Sequence, residues 1–140
     1  MTKLMMRNLF MGLGLLLLET PRLPRTVGEM LRQASGQGRT LKEHLSAVVA
    51  QRRDGAATAE PPLSHECIDA LQRLLSNSEN TLSSIVATFN APLLIFADAV
   101  VDAATSADDF RFEDLRRRRM SIYVRIPPNR LASARRLLNL

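Results

Sequence analysis

An all-α bundle of about five to seven helices, followed by one orphan strand and a last helix, is the fold this sequence predicts. Three observations carry it. Apolar residues recur at helical spacing through most of the first 110 residues. The 46% hydrophobic content is aliphatic, with no Trp, one Tyr and five Phe, and Leu, Met and Ala favour helices. The period changes to two only at Ile122, Val124 and Ile126, which alternate with Tyr123 and Arg125.

The first helix is expected from Thr2 to Glu19. Lys3 and Arg7 precede an apolar run from Leu9 to Leu18, which imitates a signal peptide. No small-x-small cleavage site follows, and ten apolar residues fall short of the roughly 20 that span a bilayer. The run therefore reads as a buried central helix. Gly12 and Gly14 cost helix propensity, about 1 kcal/mol each relative to Ala, and leave room for a close neighbour. Pro21 and Pro24 end the element.

Thr26-Val27-Gly28-Glu29 is a capping box that opens helix two, with Val27, Met30, Leu31 and Ala34 as its stripe and Gly36 and Gly38 as its stop. A second box, Thr40-Leu41-Lys42-Glu43, opens helix three, where Leu41, Leu45, Val48 and Val49 share a face. Residues 55–63 combine Gly, Ala, Thr and two prolines and read as a mobile loop. Ser64 caps helix four, striped by Ile68, Leu71, Leu74 and Leu75. After a polar break at Ser76 to Asn80, helix five carries Leu82, Ile85, Val86 and Phe89. Pro92 marks a kink or restart, and Leu93, Phe96, Val100 and Val101 extend the apolar face to about Ala104. Ser106 to Phe110 reads as a turn, followed by a short helix into the arginine run. Pro127-Pro128 precedes a last helix with Leu131, Ala134, Leu137 and Leu138.

Charge divides the chain in two. Residues 111–140 carry nine arginines against Glu113 and Asp114, a net +7, whereas residues 1–110 carry −2. The expected domain organisation follows: a helical body over 1–110 and a basic segment over 111–140. A basic surface is the usual footprint of nucleic-acid binding, and the body lacks one.

Little in the sequence suggests catalysis. There is no G-x-x-x-x-G-K-[ST] loop, no G-x-S-x-G elbow and no H-E-x-x-H. Gly12-Leu13-Gly14 lies inside an apolar helix. Cys67, the single cysteine, excludes an internal disulfide and reads as a small buried residue rather than a nucleophile. His44 and His65 fall near helix starts and read as surface residues, so no metal site is expected. Asp98 and Asp102 share a face at i, i+4, where solvated helix ends account for them better than acid–base work. No catalytic residue, cofactor or metal is expected. The candidate basic patch is Arg116, Arg117, Arg118 and Arg119. It suits phosphates or acidic partners, or equally a solvated turn or a contact with the rest of a larger protein. Four consecutive arginines point in all directions, which favours the second pair of readings.

Four stretches then stand out together. Arg7-Asn8-Leu9-Phe10-Met11-Gly12-Leu13, Leu23-Pro24-Arg25-Thr26-Val27-Gly28-Glu29-Met30-Leu31-Arg32, Ala103-Ala104-Thr105-Ser106-Ala107-Asp108-Asp109-Phe110 and Met120-Ser121-Ile122-Tyr123-Val124-Arg125-Ile126-Pro127-Pro128 resemble the coupling proteins of bacterial type IV secretion and conjugation, the TraG/VirD type. Met1 to Met6 depart from that pattern. The resemblance implies a membrane-anchored, hexameric, RecA-like ATPase whose all-helical insertion takes part in substrate selection, and this chain looks like that insertion. Its expected partners are secreted effector proteins carrying C-terminal signals, or relaxosome proteins, together with the parent nucleotide-binding domain. DNA is the rival partner in conjugative transfer. The resemblance places the parent at the cytoplasmic face of the bacterial inner membrane, with this part soluble and out of direct contact with the bilayer. It also implies that Ser121 to Ile126 return to the nucleotide-binding sheet and that Asn129 to Leu140 form the next helix there. No nucleotide motif of the family falls within the chain.

Overall fold

The computed structural model describes residues 2–53 and 59–138. The architecture is all-α, and among the described residues no strand forms. In chain order the α-helices are α1 (Thr2–Leu18), α2 (Val27–Ala34), α3 (Leu41–Arg52), α4 (His65–Leu75), α5 (Glu79–Leu93), α6 (Ala99–Ala104), α7 (Asp114–Arg117) and α8 (Leu131–Leu138). Single 3-10 turns occupy Gly36–Gly38, Leu94–Ala97 and Pro128–Arg130.

The leucine run of α1 is the axis of the bundle. Leu9, Leu13, Leu16 and Leu17 are buried, and α4 is the helix most closely packed on them, with α5 and α2 alongside. Each such leucine removed from water stabilises the fold by about 1.5–3 kcal/mol. The α1–α4 approach is close at Gly12, where an added Cβ would lie 3.0 Å from Leu71 Cδ2 and 3.5 Å from Ala70 Cβ. Gly14 has no comparable neighbour, since Met30 Cε would lie 3.7 Å away, an ordinary contact. The expected stripes are seen in α3 (Leu41, Leu45, Val49), α4 (Leu71, Leu74, with Cys67 and Ala70) and α5 (Leu82, Ile85, Phe89).

Helix starts follow the predicted caps, with one difference. Thr40 and Glu43 form the full reciprocal box. At α2 only half of the box exists. Thr26 accepts from the Glu29 amide, but the Glu29 carboxylate turns inward and takes Arg32 Nε at 2.7 Å and Gln33 Nε2 at 2.8 Å. Glu29 is buried, so its charge needs those donors more than the N-cap amide does. Ser64 and Ser78 cap α4 and α5.

Residues 55–58 of the predicted mobile loop lie outside the described residues. The remainder of that stretch is anchored. Leu63 is buried, its amide donates to the Arg52 carbonyl, and Glu60 pairs with Arg22 at 2.6 Å. Arg52 itself is buried at the end of α3. It donates to Pro61 O through Nε and Nη2, to Glu19 O at 2.7 Å, and to Thr20 Oγ1. Glu19 in turn accepts from Ser64 N and Oγ at 2.8 and 2.6 Å. One guanidinium and one carboxylate therefore tie the ends of α1 and α3 to the start of α4.

The C-terminal arm departs from the expected strand. Residues 119–127 form neither helix nor turn and join no sheet. A strand needs a neighbour to take up its amides and carbonyls, and the described residues supply none. Tyr123 and Val124 are exposed, whereas Ala134 in α8 is buried. The side chains of Leu137 and Leu138 lie outside the described residues.

Candidate interaction surface

Beyond Phe89 the apolar face of α5 comes out of the core. Pro92 stands in the last turn of that helix without breaking it, and the chain tightens into the 3-10 turn Leu94–Ala97 before Asp98 caps α6. The sequence pattern expects Val100 to continue a buried stripe. It is instead 74% exposed, and Leu94 is 63% exposed. The α6 helix is only six residues long and buries none of its residues fully. The combined run Glu79–Ala97 has the length and mean hydropathy (1.3) of a membrane-crossing helix, yet 17% of it is buried in the fold. Leu94 and Val100 thus form an apolar surface that the bundle leaves uncovered.

The C-terminal arm passes beside this surface and converts it into a groove of about 840 Å³. Leu94, Ile95, Val100, Val101 and Ala104 form one wall; Arg125, Ile126, Pro127 and Arg130 come from the arm. Arg130 Nη1 donates to Asp98 Oδ2 at 2.7 Å and holds the arm in place. The same carboxylate accepts from the Val100 amide at 2.9 Å. Arg130 first, and the α6 amides with it, keep the Asp98 carboxyl below the usual carboxylate range. Arg125 lines the groove and makes no hydrogen bond or ion pair among the described residues.

A polar relay fastens α6 to the bundle behind the groove. Asp102 Oδ2 takes Arg32 Nη1 at 2.8 Å, Arg32 reaches Glu29, Glu29 takes Gln33, and Gln33 Oε1 meets His44 Nε2 at 2.7 Å. Asp102, followed by Glu29, raises the Arg32 pKa. Burial, followed by Arg39, lowers that of His44. His44 is thus half-buried and engaged, not the surface residue its position suggests, while His65 is exposed. Asp98 and Asp102 are likewise structural anchors rather than solvated helix ends. Asp102 Oδ1 is buried without a hydrogen-bond partner and lies over Gly28, where a side chain would not fit.

The candidate patch Arg116 to Arg119 is exposed throughout. Arg118 pairs with Asp114 at 3.0 Å, one turn away. Arg116, Arg117 and Arg119 have no ion-pair partner among the described residues. The four do not converge on one point, because α7 ends at Arg117 and Arg118 is extended. Cys67 is buried against α1, its thiol 3.8 Å from Gly12 O, and burial pushes it up to about 12, with Glu19 acting in the same direction. No group of three or more His, Cys, Asp or Glu suited to a metal ion exists among the described residues.

A family model for type IV secretory system conjugative DNA transfer matches residues 6–140. The chain belongs to this family. No curated protein matches the chain, and no solved structure matches it. As a member of the type IV conjugative-transfer family, the chain contributes an all-α unit with an exposed apolar face and a basic arm. The match begins at Met6 and includes both, so the arm is as much a part of the family pattern as the bundle. Arg52 and the Asp102–Arg32–Glu29–Gln33–His44 relay are invisible to a periodicity reading.

Proposed function

We propose that this chain is the substrate-recruiting all-α module of a type IV secretion coupling protein, at the cytoplasmic face of a bacterial inner membrane. It acts by docking rather than by chemistry. Its cargo is a protein, either a secreted effector presenting its C-terminal signal or a relaxosome component, delivered to the parent ATPase. The observation that carries this reading is the uncovered apolar face from Leu94 to Val101 on a body of near-neutral charge, in a family that works in type IV transfer. Apolar surface of that kind marks protein contact sites, and a phosphate backbone would gain nothing from it. Ser121 to Ile126, which join no sheet among the described residues, are the proposed junction with the parent nucleotide-binding domain.

The rival reading is direct DNA binding through the arm. It is favoured by one observation, the three exposed and unpaired arginines Arg116, Arg117 and Arg119. Two measurements separate the readings. Calorimetric titration of the chain with proteins transferred by the same system should give saturable binding that survives replacement of Arg116 to Arg119 by Ala. Titration with a DNA duplex should give only weak affinity that collapses with added salt. Tight DNA binding abolished by the quadruple substitution, with no binding of transferred proteins, would establish the rival.

A further inference from the structure

Helix α1 is apolar on nearly every side, and the bundle covers only part of it. Leu9, Leu13, Leu16 and Leu17 face the core. On the opposite side Phe10 is 55% and Leu18 56% exposed, with Met11 and Leu4 also open to solvent. Leu4, Met11 and Leu18 follow one another at the seven-residue spacing of a helix-packing seam, so they share one line along the helix. A helix that is apolar all round is one that a further partner covers. Gly14 stands on the same line, between Met11 and Leu18. The approach of α4 accounts for Gly12, but no element of the bundle uses Gly14: the nearest atom to an added Cβ would be Met30 Cε at 3.7 Å. Glycine weakens a helix and is placed where another backbone comes close.

Charge on this side has one sign. Lys3 and Arg7 are the charged residues of α1. Both are exposed, and neither has an ion-pair partner among the described residues. Arg25, also exposed, donates through Nη2 to Leu18 O at 3.4 Å, which brings its guanidinium to the other end of the stripe. The first carboxylate in the chain, Glu19, is held by Ser64. All of these residues belong to the helical body over 1–110.

We propose that the outward face of α1 is a docking site for an acidic amphipathic helix of a partner protein, whose apolar seam lies on Met11, Gly14 and Leu18 and whose carboxylates meet Arg7 and Arg25. This surface is distinct from the face between Leu94 and Val101, and it stands or falls apart from the recruitment reading. Charge complementarity selects the occupant. Arginine binds a carboxylate through a planar fork, and the exposed cations at both ends of the stripe have none. A second copy of α1 would bring only Lys and Arg to this face and leave the cations unmatched. A phosphate backbone would meet the cations but gain nothing from the apolar residues between them. The seven-residue seam fits a helix laid along α1, and Gly14 lets its backbone approach. Arg7 and Leu18 lie roughly 16 Å apart along the axis, so the two carboxylates stand about three turns apart on the partner.

The probe is a synthetic peptide of about 18 residues, five helical turns, with leucines at the first and fourth positions of each heptad and glutamates elsewhere. A twin carries lysines in place of the glutamates. NMR titration of the whole chain should shift Arg7, Phe10, Met11, Gly14, Leu18 and Arg25 with the glutamate peptide. The lysine twin should bind at least about tenfold more weakly, the worth of one charge-assisted contact. Arg7→Glu should narrow or reverse that preference. Gly14→Gln fills the gap on the seam without touching the core, and should weaken the glutamate peptide at least about tenfold while the far-UV circular dichroism stays native. Leu18→Gln, at an exposed position, should do the same. Equal binding of the two peptides, shifts confined to residues outside α1 and Arg25, or no binding at about 1 mM peptide would overturn the proposal. So would peptide binding that both Gly14→Gln and Leu18→Gln leave unchanged. Two further results would assign the face to another occupant and equally overturn it. One is saturable binding to phosphatidylglycerol–phosphatidylethanolamine vesicles that Leu18→Gln abolishes while the peptide stays unbound, which would make it a lipid surface. The other is a dimer in sedimentation that Gly14→Gln dissociates while the peptide stays unbound, which would make it a contact between copies.

Discussion

Gly28 and Asp102 should be coupled energetically although they are 74 positions apart in the chain. Gly28 sits in the first turn of α2, and its missing side chain leaves the space that the Asp102 carboxylate fills. A Cβ added there would lie 2.7 Å from Asp102 Cγ and 3.3 Å from Oδ2, with Oδ1 nearer still. Alanine alone cannot be accommodated, so Asp102 must swing out. That movement gives up the Arg32 pair, worth about 0.2–1 kcal/mol at a part-exposed site, and adds overpacking strain of about 1–3 kcal/mol. Against this stands the helix propensity gained, at most about 1 kcal/mol. Gly28→Ala should therefore destabilise by about 1–2 kcal/mol, or several degrees in Tm for a chain of this size. Asp102→Ala removes the obstruction and an unpartnered buried oxygen, and should cost about 1 kcal/mol or less. In that background Gly28→Ala should become stabilising, by up to about 1 kcal/mol. The coupling, about 2 kcal/mol, is read from urea melts of the four proteins by far-UV circular dichroism. If Gly28→Ala has the same sign and size with and without Asp102, the packing account is wrong.

Three further outcomes are expected. Arg52→Met should destabilise by about 3 kcal/mol, because Glu19 O, Pro61 O and Thr20 lose their donor in a buried site; a loss under about 1 kcal/mol in the same melts would show that water replaces the guanidinium. His44 has a folded-state pKa below its ordinary value of 6.5. The folded protein then resists protonation that the unfolded chain accepts, so stability is fully present above 6.5 and declines as pH falls through the lower folded value. His44→Gln should flatten that decline, and parallel wild-type and variant midpoints between about pH 7 and about pH 5 would contradict it. Cys67, with its thiol pushed up to about 12 and no exposed surface, should resist a thiol reagent at pH 8 until denaturant is added; prompt labelling of the native chain would refute this.

The helical body was readable because its determinants are local. Leu9, Leu13 and Leu16 recur at the helical period, and Ser64 and Thr40 are capping residues at the positions where helices begin. Capping and periodicity involve partners three or four residues away, so one sequence holds both halves of the interaction. Composition likewise separated the basic arm from the near-neutral body, because charge adds up regardless of fold. The family was legible for the same reason: its pattern is carried in the linear order of residues 6–140.

The tertiary structure decided what depends on partners far apart in the chain. Val100 continues an apolar pattern yet faces solvent, because α6 is too short to turn every side of its stripe inward. Glu29 reads as a capping-box residue and becomes instead the centre of a relay between Asp102 and His44. The glycine at position 28 is only a spacer within the capping box in the sequence, and the approach of Asp102 gives it a reason. The strand expected at Ser121 to Ile126 has the right alternation and no neighbour, since a strand is defined by a ladder that another segment must supply. Helices, caps and charge division were thus determined by the sequence alone. The groove, its unpaired arginine and the relay behind it exist only once α2, α6 and the arm meet in space, because each needs contacts between residues that chain order keeps apart.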